Sequence, residues 1–371
     1  MAETFSFEIV ARDGDARRGL LRTPHGVVET PAFMPVATFG AVRGLGPADL
    51  ADLGAEILLA NAYHLHERPG EATVERLGGL HGFTGWAGPW LTDSGGFQVT
   101  SLGSRVRVEE DGVTFRSPLD GVRRKLTPEG VIGIQEALGS DIAMVLDECL
   151  PVGEDESAAR TAMERTLRWA ERAARARRRP GQAVFGIVQG GAFPALRRES
   201  ARRTAELGFD GHAHGGLGLG EDPERRLDLI AAANEALPPE APRYLMGLGR
   251  PEDLVRAIAA GVELFDCVIP TRNGRHGLLF TREGVLAVRN ARFRDDPRPP
   301  DPTCGCPACR THSRAYLRHL LHVGEALGAR LATLHNLRHY LDLMAEARRA
   351  ISEGRLASLA AQVREAAHRR L

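Results

Sequence analysis

Three aspartates close apolar runs of the chain: Asp93 in Thr92-Asp93-Ser94-Gly95-Gly96, Asp147 in Met144-Val145-Leu146-Asp147-Glu148-Cys149, and Asp266 in Leu264-Phe265-Asp266-Cys267-Val268. A carboxylate beside an apolar strand is costly to bury alone, so each calls for a metal, a hydrogen-bonding partner or a catalytic task. Two such acids facing a glycosidic bond can divide the work. One attacks the anomeric carbon, and the other handles the proton at the leaving group. Residue types alone leave open whether water or a second base completes the reaction.

A second constellation is made of soft ligands. Cys304, Cys306 and Cys309 fall within six positions, a spacing that suits metal, whereas a secreted disulfide scaffold spreads an even number of cysteines over a short chain. His312, His319 and His335 are the candidates for a fourth ligand. Three thiolates and one imidazole match a structural, tetrahedral zinc with no open position for water, one ion per subunit.

Other strand ends carry polar reading groups. Gln189-Gly190-Gly191 and Gly215-Gly216-Leu217-Gly218 offer a carboxamide and backbone N–H and C=O groups to the edges of a planar heterocycle, while Phe97 and Met246 can cover its faces.

These residues must be positioned by repeating elements. Apolar runs at Pro31–Thr38, Glu56–His64, Trp90–Gly96, Asp141–Glu148, Ala183–Gly190, Gly211–Gly218, Ala241–Gly249 and Glu263–Pro270 read as eight strands. Helix-start chemistry lies between several of them, as in Thr127-Pro128-Glu129, Asp222-Pro223-Glu224 and Pro251-Glu252-Asp253. Continuously apolar strands alternating with helices imply a parallel sheet covered on both faces, and eight units predict an α/β fold of the (β/α)8 TIM-barrel type. An open doubly wound sheet lacks its G-x-G-x-x-G signal here.

The expected organisation is an N-terminal antiparallel cap (1–29), the barrel (30–270) with a hairpin inserted at about 97–126, a zinc-binding subdomain after the eighth strand (271–338), and a C-terminal helix packing back on the barrel (339–371). The 371 residues carry 48 basic and 48 acidic side chains, so a polyanion must meet a local patch and not a general field. From Cys267 to Leu320 ten arginines face four acidic residues, a local excess of six. No apolar run reaches membrane-spanning length and the first residues are charged, so no membrane association and a cytoplasmic location are expected.

The motifs Asn61-Ala62-Tyr63-His64-Leu65, DSGGFQ at 93–98, DEC at 147–149, GIVQGG at 186–191, YLMG at 244–247 and FDCVIPTRNGR at 265–275 stand in this order, followed by the cysteine cluster and His335-Asn336-Leu337. From about Phe7 to Leu356 the chain resembles the tRNA-guanine transglycosylases of the bacterial type. The resemblance implies a tRNA partner with a wobble guanine, which is exchanged for the small molecule 7-aminomethyl-7-deazaguanine on the way to queuosine. It assigns Asp266 as nucleophile and Asp93 as general acid and base. Asp147, Gln189, Gly216, Leu217, Cys149, Phe97 and Met246 would form the base pocket, and Arg272 and Arg275 would hold the anticodon loop. It also selects His335 as the fourth ligand and implies a homodimer. His214 and Leu219 depart from the Ile or Val more usual in the pocket strand, which bears on base choice.

Two rival readings have their own residues. His64-x-His66 and His212-x-His214 imitate the paired ligands of metal-dependent barrel hydrolases. A non-catalytic tRNA-binding accessory subunit is the other, and it should have lost the acidic pair.

Overall fold

The computed structural model describes residues 5–100, 106–150 and 153–371; positions 1–4 of the expected N-terminal cap and 101–105 of the expected insertion lie outside them. Three antiparallel strands open the chain, β1 (Ser6–Asp13), β2 (Ala16–Thr23) and β3 (Gly26–Thr30). Eight parallel strands then form one sheet: β4 (Ala32–Pro35), β5 (Leu58–Asn61), β6 (Trp90–Asp93), β10 (Ile142–Met144), β11 (Ala183–Val188), β12 (Gly211–His214), β13 (Arg243–Leu245) and β14 (Leu264–Cys267). Every one lies inside an apolar run of the sequence. Pairing of β14 with β4 and a Val36–Leu59 bridge between the first two strands close the sheet into a barrel.

Helices α1 (Pro47–Asp52), α2 (Ala62–Glu67), α3 (Glu71–Arg76), α4 (Gly79–Thr84), α5 (Gly96–Thr100), α6 (Pro128–Leu138), α7 (Glu156–Ala176), α8 (Pro194–Ala205), α9 (Pro223–Asn234) and α10 (Pro251–Ala259) fill the connections. Their starts follow local chemistry. Thr127 caps α6 by accepting from the Gly130 N–H, and Asp222 caps α9 by accepting from Glu224 and Arg225, each with Pro in the first turn.

The expected hairpin is a three-stranded meander, β7 (Val106–Glu109), β8 (Gly112–Arg116) and β9 (Arg123–Leu126), because Arg123–Leu126 adds a third strand against β8. That strand, Arg-Arg-Lys-Leu, is too short and too charged to show alternation. After β14 come α11 (Ile269–His276), the hairpin β15 (Leu278–Phe280) and β16 (Val285–Ala287), and α12 (Pro307–Thr311), α13 (Arg314–Val323), α14 (Ala326–Ser352) and α15 (Leu356–His368). The expected division between residues 338 and 339 falls inside α14, which carries His335 and runs unbroken to Ser352, and the segment after it is a second helix. No Gly or Pro interrupts the periodic pattern at 338 that could have stopped the helix.

Strand periodicity sorts the side chains. Leu59, Leu91, Ile187, Ala213, Tyr244 and Leu264 belong to one buried cluster, whereas Trp90, Leu245, Phe265 and Cys267 belong to another. With a period of two, Asn61, Asp93, Gln189, Gly215 and Asp266 continue the first set beyond its apolar members. The barrel's inner columns therefore end in polar groups at the C-terminal ends of the strands, where barrels of this type keep their sites.

Candidate active site and metal centre

Asp93, at the end of β6, accepts at Oδ2 from the Asn61 Nδ2 amide at 2.8 Å and from Gln98 Nε2 at 3.4 Å, and at Oδ1 from the Gly95 N–H at 3.2 Å. Asn61 stands opposite Asp93 in the β5–β6 register and caps α2 with its own Oδ1. Burial pushes the Asp93 carboxyl up to about 7, with the Asp266 charge the next contributor and the Asp147 charge a smaller one, against the hydrogen bonds from Asn61 and Gly95. Asp93 thus lies close enough to both other acids to feel their charges.

Asp266 is held differently. The Tyr244 hydroxyl and the Gly247 N–H both donate to its Oδ1 at 2.6 Å. Burial raises its pKa and these two donors oppose that rise. Both bonds fall on Oδ1, and among the described residues no hydrogen bond reaches Oδ2.

Asp147 is buried, and its Oδ2 accepts from Gln189 Nε2 at 2.7 Å; burial lifts its carboxyl to about 6. A β-carbon at Gly215 would lie 2.6 Å from Gln189 Nε2, and one at Gly216, whose φ is +67°, 2.7 Å from Gln189 Oε1. The glycines let the β12 loop pass directly over the amide. Leu217 is buried beside them, Met246 is partly buried against the inner barrel cluster, and Phe97 on α5 is 51% exposed. The Cys149 thiol is pushed up to about 12 by burial and the neighbouring Asp147, which favours its neutral form.

Arg197 of α8 was not singled out in the sequence. Fully buried, it donates from Nη1 to the Gly215 and Val188 carbonyls at 2.7 and 3.2 Å and from Nε to Gly191 O at 3.0 Å, tying the ends of β11 and β12 together. Burial lowers its pKa to about 10. Asn61 and Tyr244 carry no mark in the sequence beyond their motifs, and their bonds to the acids appear once adjacent strands are in register.

Arg272 is exposed on α11 and Arg275 half-buried. Burial, then Arg43 and Arg272 nearby, lower the Arg275 pKa, and among the described residues none of these three arginines has a carboxylate within ion-pair distance. Arg43 adds a third cation that the sequence reading missed, because it lies more than two hundred positions away.

The imitation metal ligands separate. His64 and His66 sit two apart on α2, hence on different sides of the helix, and His66 Nδ1 pairs with Glu71 at 2.7 Å. His212 and His214 flank inward-facing Ala213 and so point at the helix layer, where burial keeps them neutral with pKa values pushed down to about 4 and 3. These placements remove the ligand set of the hydrolase reading.

The cysteine cluster comes together. The ligand atoms of Cys304, Cys306, Cys309 and His335 all lie within 4.8 Å of one another. His335 Nε2 is 2.7 Å from the Phe280 carbonyl, and its Nδ1 is 3.1 Å from Cys309 Sγ and 3.8 Å from Cys306 Sγ. A proton on Nε2 directed at Phe280 O leaves the Nδ1 lone pair facing the sulfurs, as a ligand requires. The donor set and its geometry fit a metal ion. His312 and His319 lie outside the cluster.

A family model described as queuine tRNA-ribosyltransferase matches residues 13–369. A queuine tRNA-ribosyltransferase of Thermus thermophilus is 54% identical over 368 residues, covering 99% of this chain and 95% of the relative. Relatives with the same description from Thioalkalivibrio sulfidiphilus and Saccharophagus degradans are 53% and 52% identical, covering 96% and 95% of this chain and 96% and 94% of their own lengths.

Proposed function

Because the chain belongs to the queuine tRNA-ribosyltransferase family, we propose that it exchanges the wobble guanine of tRNA for 7-aminomethyl-7-deazaguanine through a ribosyl ester on Asp266. The carrying observation is the unequal treatment of two acids at one mouth. Among the described residues hydrogen bonds tie one oxygen of Asp266 and not the other, while Asp93 has a carboxyl lifted to about 7. Paired acids whose surroundings differ in this way divide into nucleophile and proton carrier.

In the first half-reaction Asp266 Oδ2 forms a bond to ribose C1′ as the C1′–N9 bond breaks, and guanine departs with the proton of Asp93. In the second, the Asp93 carboxylate takes the N9 proton of the incoming base. N9 then attacks C1′, and the ester bond to Asp266 breaks. Protons balance over the cycle and neither acid is consumed. Water must be kept from the ester, a task for the base pocket.

Asp147 and Gln189 would read the base edge with the backbone of Gly216 and Leu217, and Phe97 and Met246 would cover its faces beside Cys149. Arg272 and Arg275, with Arg43, would grip anticodon-loop phosphates. The metal held by Cys304, Cys306, Cys309 and His335 would be one zinc per chain, whose four protein ligands leave it a structural part. Two chains are expected to act as a homodimer.

The test is incubation with an anticodon stem-loop, labelled guanine and candidate bases, read by mass spectrometry. Exchange with incorporation of the aminomethyl base is expected, and Asp266→Ala should lose both exchange and the covalent RNA adduct. An Asp266→Ala protein that still forms the adduct would sink the nucleophile assignment.

A further inference from the structure

At the barrel's opposite end, His25 from the β2–β3 turn, His81 from α4 and Asp141 at the foot of β10 converge, with their ligand atoms all within 4.8 Å of one another. Asp141 has no exposed side-chain surface. Its Oδ1 lies 2.7 Å from His25 Nδ1, and its Oδ2 lies 3.4 Å from His81 Nε2 while accepting from the Trp90 N–H at 2.8 Å. No lysine or arginine among the described residues pairs with it. A buried carboxylate without a permanent cation needs a proton-bearing partner or a metal.

We infer that His25, His81 and Asp141 form a second divalent-metal site, built from two imidazoles and one carboxylate, on the floor of the barrel. Two nitrogens and one oxygen are the donors that Zn2+, Co2+ and Ni2+ accept, and three protein ligands leave a position for water. The solvent side is open, since the His25 side chain is 37% exposed. The His81 Nε2–Asp141 Oδ2 distance of 3.4 Å matches the separation of about 3.3 Å between donors on a tetrahedral ion at ordinary Zn–N and Zn–O lengths, while the 2.7 Å from His25 Nδ1 to Asp141 Oδ1 is a hydrogen-bond length that must open as the metal enters.

His25 and His81 stack with centroids 3.5 Å apart and planes 17° from parallel. Binding requires the exposed His25 ring to swing off this stack so that both nitrogens aim at the ion, a change confined to one surface turn. His81 Nε2 is also 3.1 Å from the Gly88 carbonyl, and it exchanges that contact for the metal. Such an ion would clamp three segments remote in sequence: the N-terminal sheet, α4 and the entry to β10. It has no part in base exchange.

The experiment is cobalt(II) titration of the full chain after removal of its metals. The cysteine cluster takes the first equivalent and reports through intense thiolate-to-metal charge transfer. The floor site is expected to take a second equivalent that adds only weak d–d absorption, with proton release as the imidazoles are occupied. His25→Ala should weaken that second binding by about tenfold or more and leave the first unchanged, and His81→Ala should do the same. Guanine exchange by the His25→Ala protein should equal that of the parent. Saturation of the parent at one equivalent would show that protons alone balance Asp141 and would overturn the site. A second equivalent that survives both histidine substitutions would overturn it equally.

Discussion

The surroundings of Asp93 at the mouth of the barrel refuse its charge: burial and the Asp266 carboxylate raise its pKa to about 7, and the Asn61 amide partly opposes them. In the proposed exchange Asp93 must hold its proton for the ribose to be captured, so the rate of adduct formation should fall as pH rises through about 7. Asn61→Ser keeps an oxygen to cap α2 but removes the amide donor, so Asp93 should titrate higher and this alkaline limb should move to higher pH. Single-turnover adduct formation followed across pH checks both, and a limb that stays put would detach Asn61 from proton transfer. The same raised pKa has a cost in stability. A carboxyl whose folded pKa exceeds its unfolded value loses stability as pH rises from the unfolded value to the folded one. Asp93→Asn should therefore melt above the parent at pH 8, on the order of 1–3 kcal/mol after allowance for its partial exposure, with the gap shrinking towards pH 4. Thermal melts at the two pH values decide it. The acids themselves were legible in the sequence, each being a lone charge at the end of an apolar run. Asn61, Tyr244 and Arg197 were not, because their meaning comes from neighbours 32, 22 and 18 positions away that only the closed barrel brings beside them.

Helix α14 joins the cysteine–histidine cluster to the arginines of α11. His335 faces the sulfurs, while the next residue, Asn336, accepts from Phe280 N–H and donates to Pro270 O and Leu278 O at 2.9 and 3.0 Å, gripping the start of α11. Tyr340, one turn on, donates to the Gly249 carbonyl beyond β13. Where α11 crosses this strut, a β-carbon at Gly274 would lie 2.9 Å from the backbone of Ala332, which cannot move aside as a side-chain tip can. Gly274→Ala should push α11 outward, overpacking at a cost of about 1–3 kcal/mol, and weaken stem-loop binding more than it slows turnover of bound RNA. Affinity and single-turnover rate measured together check this; an equal loss in both would mean that the shift reaches Asp266. Removing the metal with a chelator should loosen the His335 end of the same strut and give a melting transition for residues 304–335 ahead of that of the barrel. The cysteine spacing made the ligand cluster readable, whereas the strut was not. A helix that serves two neighbours in turn shows only one mixed pattern of apolar residues, so α14 offered no mark at 338 and its continuation was assigned elsewhere.

At the scale of the whole molecule the barrel separates work from support. Eight apolar runs with helix starts between them were enough to indicate the architecture, since a parallel strand buried on both faces leaves little room for polar residues. What they could not indicate is how the floor is locked. Arg17 of β2 reaches the base of β14 to pair with Glu263, both side chains essentially without exposure, and donates to the carbonyls of Pro239 at 2.6 Å and Ala241 at 3.2 Å. Glu263 also accepts from the Arg243 N–H at 2.8 Å, so one carboxylate connects the N-terminal sheet to the feet of β13 and β14. Arg17→Met would leave that acid buried without its cation. Breaking a buried pair from one side costs about 3–5 kcal/mol, and burial already raises the Glu263 pKa against the pull of Arg17. In the variant the folded pKa should rise further, so the lost stability should be greatest near pH 8 and should recover as pH falls towards the unfolded value, where Glu263 can be buried as the neutral acid. Denaturant melts of parent and variant across pH measure the difference. Base exchange below the melting range should be unchanged, because Asp93 and Asp266 stand at the other end of the strands. A deficit independent of pH would mean that the lost packing and carbonyl contacts of Arg17, and not its charge, hold the floor.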